Sequence, residues 1–166
     1  MVKKPTLIAF DLDFTLWPFA VDMSAYVAPP FSKNMNGQVV DTRSRKIKHF
    51  KEVPSILKQL HHEGYILAIA SRTGDPEAAR QLLKLFDWEK YFTYIEIYRG
   101  SKITHFKRFK SESGIDFSEM LFFDDEHRNK RDLDTIGVMM IMVIGGVTHK
   151  LVTEGLDKFS NSYGQK

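Results

Sequence analysis

The sequence predicts a three-layer α/β fold, in which a parallel β-sheet is covered by helices on both faces. Two observations predict it. Short, almost continuously apolar runs recur along the chain, and runs without polar alternation are typical of strands in a doubly covered parallel sheet. Amphipathic segments with helical periodicity separate these runs. The predicted strands are residues 6–10, 66–70, 94–98, 120–124 and 139–144.

The helices are predicted from apolar spacing and from residues typical of helix ends. The first has apolar residues at helical spacing from Val53 to Leu60, with Pro54 in its first turn and Gly64 just beyond its end. Asp75, followed by proline, predicts the start of a second helix that runs to about Phe86. Three further helices are predicted near residues 102–113, 127–136 and 148–159.

One segment, residues 17–50, interrupts this alternation between the first strand and the first helix. Its proline, asparagine and glycine residues favour loop structure. Val39-Val40 and the run from Lys46 to Phe50 can pair as a small hairpin, so the segment is interpreted as a flap. It is too short and too irregular for a second domain. A single domain over residues 1–166 is therefore expected.

The composition is that of an ordinary globular protein, with a formal net charge of +3 and no cysteine. The basic runs 43–51 and 107–110 are interpreted as solvated surface, and no nucleic-acid partner is expected. Without cysteine, disulfides and thiolate metal sites are excluded. The first apolar run stops at Asp11, too early for a signal peptide or a membrane span. A monomer in the cytoplasm, with the nucleus as a second location, is expected.

Acidic residues follow two of the predicted strands. Asp11 and Asp13 are two positions apart in extended chain, so their side chains point the same way just past the first strand. Asp124 and Asp125 end another predicted strand. Ligands bind at the carboxyl ends of strands in such sheets, and crowded carboxylates there need a cation or a shared proton. Four carboxylates without cysteine favour a hard cation such as Mg²⁺.

Hydrogen-bond donors and a positively charged residue, in contrast to these carboxylates, follow the other strands. Ser71 and Arg72 come after the second strand and offer a hydroxyl and backbone amides to phosphoryl oxygens. Lys102 follows the third strand and places an ammonium group near the same edge; Lys107 and Lys110 lie further into the helix and are expected to be solvated. Carboxylates, a metal, a hydroxyl and a lysine together are typical of a phosphoryl-transfer site.

These motifs, in this order, resemble the haloacid dehalogenase (HAD) superfamily. The first motif of that superfamily, DxDx[TV], is matched by Asp11, Asp13 and Thr15, and the others by Ser71, Lys102 and the pair Asp124-Asp125. The stretches FTLWPF, SRT, GSK and FFDDE resemble its eukaryotic magnesium-dependent phosphatase-1 family, over about residues 6–156. The resemblance implies a Rossmann-like, HAD-type sheet. It also implies a phosphomonoester hydrolase that forms an aspartyl-phosphate.

The resemblance implies a role for each of the matching residues. Asp11 attacks phosphorus, and Asp13 protonates the leaving oxygen and then activates water. Leu12, Ser71 and the Arg72 amide bind the substrate, and Lys102 neutralises both Asp11 and the phosphoryl group. The Arg72 side chain is interpreted either as a substrate contact or as a surface pairing. Mg²⁺ is held by Asp11, the Asp13 carbonyl and one or both of Asp124 and Asp125. Asp125 is preferred as the direct ligand; Asp124 is interpreted as a ligand or a capping residue. Thr15 is expected to fix the turn through a hydrogen bond.

In the HAD superfamily, cap domains are inserted after the first motif or between the second and third. The flap and the stretch between Ser71 and Gly100 are both too short for one, so no cap domain is expected. An open site implies phosphotyrosine-like or protein phosphates, or sugar phosphates of the fructosamine type. A small-metabolite phosphatase, a phosphotransferase of the same superfamily and a catalytically silent binding module remain alternatives.

Several aromatic residues have two interpretations. Trp17, Phe19 and Phe31 either form a hydrophobic rim beside the site or pack the flap onto the sheet. His105 and His127 are predicted near the active edge, where either can touch substrate, although the superfamily mechanism requires no histidine.

Overall fold

The computed structural model describes residues 2–164, which contain a five-stranded sheet of parallel strands. Its strands are β1 (Leu7–Phe10), β4 (Ile66–Ser71), β5 (Phe92–Ile97), β6 (Met120–Asp124) and β7 (Met139–Met142). The order across the sheet is β5-β4-β1-β6-β7, with Leu7 of the central strand opposite both Ile66 and Met120. The predicted parallel α/β architecture is confirmed.

Helices follow the strands as the sequence indicates. They are α1 (Val53–His62), α2 (Pro76–Leu85), α3 (Lys102–Ser113), α4 (His127–Asp134) and α5 (His149–Gly164). The Asp75 side chain accepts a hydrogen bond from the Ala78 N–H and so caps α2. Ser101 likewise caps α3 by accepting from the Ile103 N–H, which fixes the position of Lys102 in the first turn. None of the described helices is long and apolar enough to cross a membrane.

The two faces of the sheet form two separate hydrophobic clusters. Ile8 and Phe10 of β1 point into the larger cluster, which contains residues of α1, α2 and α5. Leu7 and Ala9 point to the other face, among residues of α3 and α4. Alternate side chains of one strand are therefore buried on opposite faces, and this requirement explains why β1 contains no polar residue.

The flap differs from its prediction in one pairing. Val39–Val40 (β3) pairs with Ser32–Lys33 (β2), and its predicted pairing with the run from Lys46 is limited to one bridge, beside which the Ile47 N–H donates to the Val39 carbonyl at 2.8 Å. Lys46 makes only an isolated bridge with Val40, so it extends the small sheet by one residue pair. Strands this short contain too little periodicity to select a partner from sequence alone.

The described flap is joined to the main body by specific hydrogen bonds. The backbone N–H of Phe31 donates to Gln81 on α2 at 2.9 Å. The Asp22 carboxylate accepts from the Gly74 N–H, at 3.0 Å, in the loop after β4. The flap is therefore held against the carboxyl ends of the strands.

Candidate active site

The carboxyl ends of β4, β1 and β6 meet at one cavity because these strands are neighbours in the sheet. Ser71 ends β4, Asp11 follows β1, and Asp124 ends β6. The cavity has a volume of about 310 Å³. It is lined by Asp11, Asp13, Phe14, Ala20, Asp22, Met23, Ser71, Arg72, Thr73, Lys102, Asp125, Glu126, Arg128 and Asn129. The structure thus brings most of the predicted site residues together.

Lys102 lies at the floor of this cavity with only 1% of its surface exposed. Its ammonium group donates to the Ala70 carbonyl at 2.8 Å, to Asp11 Oδ1 at 3.2 Å and to Asp124 Oδ2 at 3.4 Å. A buried ammonium group is tolerated only where acceptors surround it, as they do here. Lys107 and Lys110, the alternatives considered from sequence, are exposed.

Three carboxylates converge beside that ammonium group. Asp11, Asp124 and Asp125 each place an oxygen within 4.8 Å of the others. Burial, together with the Asp124 charge, raises the pKa of Asp11 well above its ordinary value, although Lys102 opposes the rise. Burial also raises the pKa of Asp125. One ammonium group cannot balance three carboxylates, so their charge and oxygen donors fit a hard divalent cation.

Asp124 is the most firmly held of these carboxylates. Its Oδ1 accepts from the Glu126 N–H at 3.1 Å, and its Oδ2 accepts from the Asn129 side chain at 2.6 Å. Although burial alone would raise the pKa of Asp124, the Lys102 charge and these hydrogen bonds lower it. The side chain of Asp125 is more open, and its residue is only half-buried.

Asp13 faces the cavity from the loop between β1 and the flap, outside the group of three carboxylates. Its Oδ1 accepts from the Trp17 indole N–H at 2.8 Å and from the Val21 N–H at 3.1 Å. Burial raises the pKa of Asp13 to about 6, although both hydrogen bonds act in the opposite direction. A carboxyl group with this pKa can both donate and accept a proton near neutral pH.

The predicted substrate-binding residues have different surroundings. Ser71 is buried, and its hydroxyl accepts from the Thr73 N–H at 3.2 Å. Arg72 lines the cavity, where its guanidinium group donates to Asn129 at 3.3 Å. The Leu12 side chain is fully buried in the core, so its backbone is the part that can face a ligand.

Thr15 closes the turn by a hydrogen bond as expected, but through its backbone and not its hydroxyl, whereas the expectation that His105 can touch substrate is wrong. The Thr15 hydroxyl is buried without a hydrogen-bond partner among the described residues, and the turn is instead closed by the Thr15 N–H, which donates to the Leu12 carbonyl at 3.0 Å. His105 does not reach the cavity, because it is fully buried and its Nε2 lies 2.8 Å from the Ser71 carbonyl. His127 is exposed and lies beside the cavity rather than in its lining.

The aromatic rim predicted as one alternative is wrong. Trp17, Phe19 and Phe31 are buried, and the Trp17 ring stacks between Phe19 and Trp88 at centroid distances of 5.7 and 6.4 Å. Other apolar residues, Phe14 and Met23, line the cavity entrance instead. Phe14 has a φ of 61°, an unfavourable backbone conformation for a bulky residue, which directs its side chain to this position.

Sequence analysis missed several residues of the site, including Arg128 and Asn129 in the cavity lining, and it missed the polar contact of Trp17. Asn129 is buried in α4 and joins Arg72 to Asp124. Its one signal in the sequence is a polar residue five positions after Asp124, which is too common to be diagnostic. Trp17 was considered only as an apolar side chain, whereas its indole N–H contacts Asp13.

Comparison with known proteins gives the family. A family model described as Acid Phosphatase matches residues 3–162. The chain belongs to this family. Among relatives, human magnesium-dependent phosphatase 1 is 47% identical over 162 residues, covering 98% of this chain and 91% of that protein. A HAD-like hydrolase superfamily protein of Schizosaccharomyces pombe is 38% identical over 151 residues, covering 84% of this chain and 86% of that protein.

Solved structures support the same fold for this acid phosphatase family member. A HAD-superfamily hydrolase from Ehrlichia chaffeensis superposes with a TM-score of 0.66 at 13% identity, over 99% of this chain and 98% of that one. A phosphatase domain from a Bacteroides fragilis protein, complexed with Mg, gives a TM-score of 0.62 at 15% identity. That match covers 98% of this chain and 40% of the other. The superfamily resemblance is confirmed.

Proposed function

We propose that this protein is a Mg²⁺-dependent phosphomonoester hydrolase that works through an aspartyl-phosphate on Asp11. The observation that carries the proposal is the contact between the buried Lys102 ammonium group and the Asp11 carboxylate on the cavity floor. It places a nucleophile and a positive charge where a phosphoryl group can bind. Membership of the acid phosphatase family and the name of the human relative support the same activity.

In the first half-reaction, an Asp11 oxygen attacks phosphorus and the bond from phosphorus to the ester oxygen breaks. Asp13 gives its proton to that leaving oxygen. Ser71 and the backbone beside it hold phosphoryl oxygens, while Lys102 balances their charge. In the second half-reaction, Asp13 takes a proton from water as the water oxygen attacks phosphorus. Phosphate leaves and the Asp11 carboxylate is restored.

The residues that would hold Mg²⁺ are Asp11, Asp124 and Asp125, together with the Asp13 carbonyl. Bound Mg²⁺ supplies positive charge that neutralises the phosphoryl oxygens and offsets the repulsion among the carboxylates. Asp125 is the preferred direct ligand, since both oxygens of Asp124 already accept hydrogen bonds from protein groups.

For the substrate, we infer phosphotyrosine-like groups and sugar phosphates of the fructosamine type. Phe14 and Met23 provide an apolar surface at the cavity entrance for an aryl group. Arg72 and Arg128 line the same cavity and suit polar or anionic groups near the phosphate. The described flap contains one short hairpin and no helix, so it is small for a cover over the site, and this supports a bulky phosphoester as substrate.

The activity is tested by phosphate release from p-nitrophenyl phosphate with Mg²⁺ and with EDTA. We expect turnover that EDTA abolishes and Mg²⁺ restores. Asp11→Asn should remain folded and lose nearly all activity, whereas Asp157→Asn, an exposed change on α5, should be fully active. Full activity of Asp11→Asn, or Mg²⁺-independent turnover, would contradict the proposal.

Two further measurements identify the molecule that accepts the phosphoryl group, water or an alcohol, and the class of substrate. A phosphoenzyme trapped during turnover should carry its label on Asp11, and transfer to an added alcohol in place of water would indicate a phosphotransferase. Values of kcat/KM for free phosphotyrosine, a phosphotyrosyl peptide and sugar phosphates should all be measurable. Phosphoserine should be poorer, since an alkoxide leaves less readily than a phenolate. Exclusion of the peptide would favour a small-metabolite phosphatase.

A further inference from the structure

The Trp17 side chain contacts Asp13 in a way that the packing of the flap does not require. Trp17 is fully buried, and its ring stacks between Phe19 and Trp88. The edge of the ring points to the cavity side, where the indole N–H donates to Asp13 Oδ1 at 2.8 Å. A buried indole N–H needs a hydrogen-bond acceptor, and here the acceptor is a carboxylate that lines the cavity.

The hydrogen bonds at Asp13 are concentrated on one of its two oxygens. Oδ1 accepts from both the Trp17 indole and the Val21 backbone N–H. With two donors on Oδ1, the other oxygen, Oδ2, is the one that can exchange a proton with a ligand in the cavity. The orientation of the carboxyl group, and therefore of Oδ2, depends on these donors.

Backbone contacts also join the two ends of the loop from Asp13 to Trp17. The Phe14 N–H donates to the Trp17 carbonyl at 2.7 Å, and Asp13 and Trp17 form an isolated bridge. These backbone contacts therefore close the loop, and the side chain of its last residue, Trp17, contacts the side chain of its first residue, Asp13. The indole cannot leave Asp13 without opening this loop or breaking the ring stack.

We propose that Trp17 is a positioning residue that orients Asp13 as the acid and base of the reaction. This inference rests on the proposed function. In the first step, the proton on Asp13 Oδ2 passes to the ester oxygen as its bond to phosphorus breaks. In the second step, Oδ2 receives a proton from the attacking water. Trp17 exchanges no proton and touches no substrate; it holds Oδ1 so that Oδ2 faces the reacting atoms.

The kinetic test varies the leaving group. Trp17→Phe keeps a stacked ring and removes the N–H, and kcat/KM is measured for p-nitrophenyl, phenyl and alkyl phosphates. A good leaving group needs little help from an acid, so we expect a loss of about 3-fold or less for p-nitrophenyl phosphate. For alkyl phosphates we expect a loss of about 10- to 100-fold, within the range of general acid catalysis.

Trp88→Phe is the matched control, since Trp88 stacks in the same aromatic group and its partner rings are Trp17, Phe86 and His49. Its kcat/KM should change by the same small factor for every leaving group. If Trp17→Phe also loses activity uniformly across the series, Trp17 is merely structural and the inference is wrong. A wild-type protein that hydrolyses none of these esters would overturn the proposed function and this role together.

A second test detects the contact without relying on activity. The sequence has two tryptophans, so a ¹⁵N–¹H spectrum has two indole signals, which Trp17→Phe and Trp88→Phe assign. Asp13→Ala should shift the Trp17 indole signal and speed exchange of its proton with water, while the Trp88 signal stays in place. An unmoved Trp17 signal would show that the indole does not hold Asp13, even in an active phosphatase.

Discussion

Lys102 donates a 3.2 Å hydrogen bond to Asp11, although the two residues are 91 positions apart in the sequence. The same ammonium group contacts Asp124 and the Ala70 carbonyl, so it joins the ends of three neighbouring strands. Its contacts require Lys102 to start α3, where Ser101 caps the helix.

Lys102→Met should remove the positive charge while keeping a chain of similar length. We expect kcat/KM for p-nitrophenyl phosphate to fall by about 10²- to 10³-fold, as when one charge-stabilising donor is removed from an active site. Lys107→Met, an exposed change on the same helix, should leave kcat/KM unaltered. Steady-state kinetics at saturating Mg²⁺ checks this, and an active Lys102→Met variant would remove Lys102 from the mechanism.

Asp124 and Asp125 should respond differently to loss of charge. Asp125→Asn should raise the Mg²⁺ concentration needed for half-maximal activity more than Asp124→Asn does, because Asp124 is already engaged by Glu126 and Asn129. Asp124→Asn should instead lower the maximal rate. Mg²⁺ titrations of activity measure both, with the exposed Asp134→Asn as control. The reverse order would make Asp124 the direct ligand.

Calcium provides a related check of the metal site. Ca²⁺ should occupy the carboxylates and inhibit the Mg²⁺-supported reaction, because its longer bonds and looser coordination would misplace Asp11, the proposed nucleophile. Inhibition should be competitive with Mg²⁺. Full activity with Ca²⁺ would argue against a site that demands close coordination.

Asn129 connects Arg72 to Asp124, so its removal should affect both. Hydrogen bonds to charged groups contribute about 1.5–3 kcal/mol, and Asn129→Ala should therefore lower kcat/KM by about 10- to 150-fold. Asn161→Ala, an exposed change on α5, is the matched control. Unchanged kinetics in Asn129→Ala would mean that Asp124 keeps its position without this bond.

Asp41 should stabilise the flap in a pH-dependent way. Burial would raise its pKa, but hydrogen bonds from the backbone of Arg45, Arg43 and Ala28, and from the Arg45 side chain, lower it below 3.8. A carboxyl group whose pKa is lower in the folded protein than in the unfolded chain stabilises the protein at pH values above its ordinary pKa. This contribution is lost as the pH falls through the pKa of the folded state.

Asp41→Asn should consequently reduce the free energy of unfolding by about 2 kcal/mol near neutral pH. The difference from wild type should stay constant above about pH 5 and shrink as the pH falls below 3.8, because protonation removes the charge from wild-type Asp41 as well. Urea denaturation across this range measures it. A difference that is independent of pH would show that the hydrogen bonds do not depend on the carboxylate charge.

Much of the fold was predictable because strand and helix patterns are local. Five apolar runs indicated the five strands, although β5 begins at Phe92 and β7 ends at Met142 rather than at the predicted limits. Beyond β7, Gly145 and Gly146 adopt positive φ, and a side chain on Gly146 would clash with the Phe50 ring. This turn packs against a distant segment, and apolar residues alone do not report such a contact.

The sequence by itself determined which residues stand at the strand ends, because each of Asp11, Ser71 and Asp124 directly follows an apolar run. Only the tertiary structure decided which groups meet. The links from Asn129 to Arg72 and from Lys102 to Asp11 join residues that are 57 and 91 positions apart, and no local pattern pairs them. Periodicity reports the face on which a side chain is buried, whereas a hydrogen bond depends on distance and direction between elements that the folded sheet alone brings together.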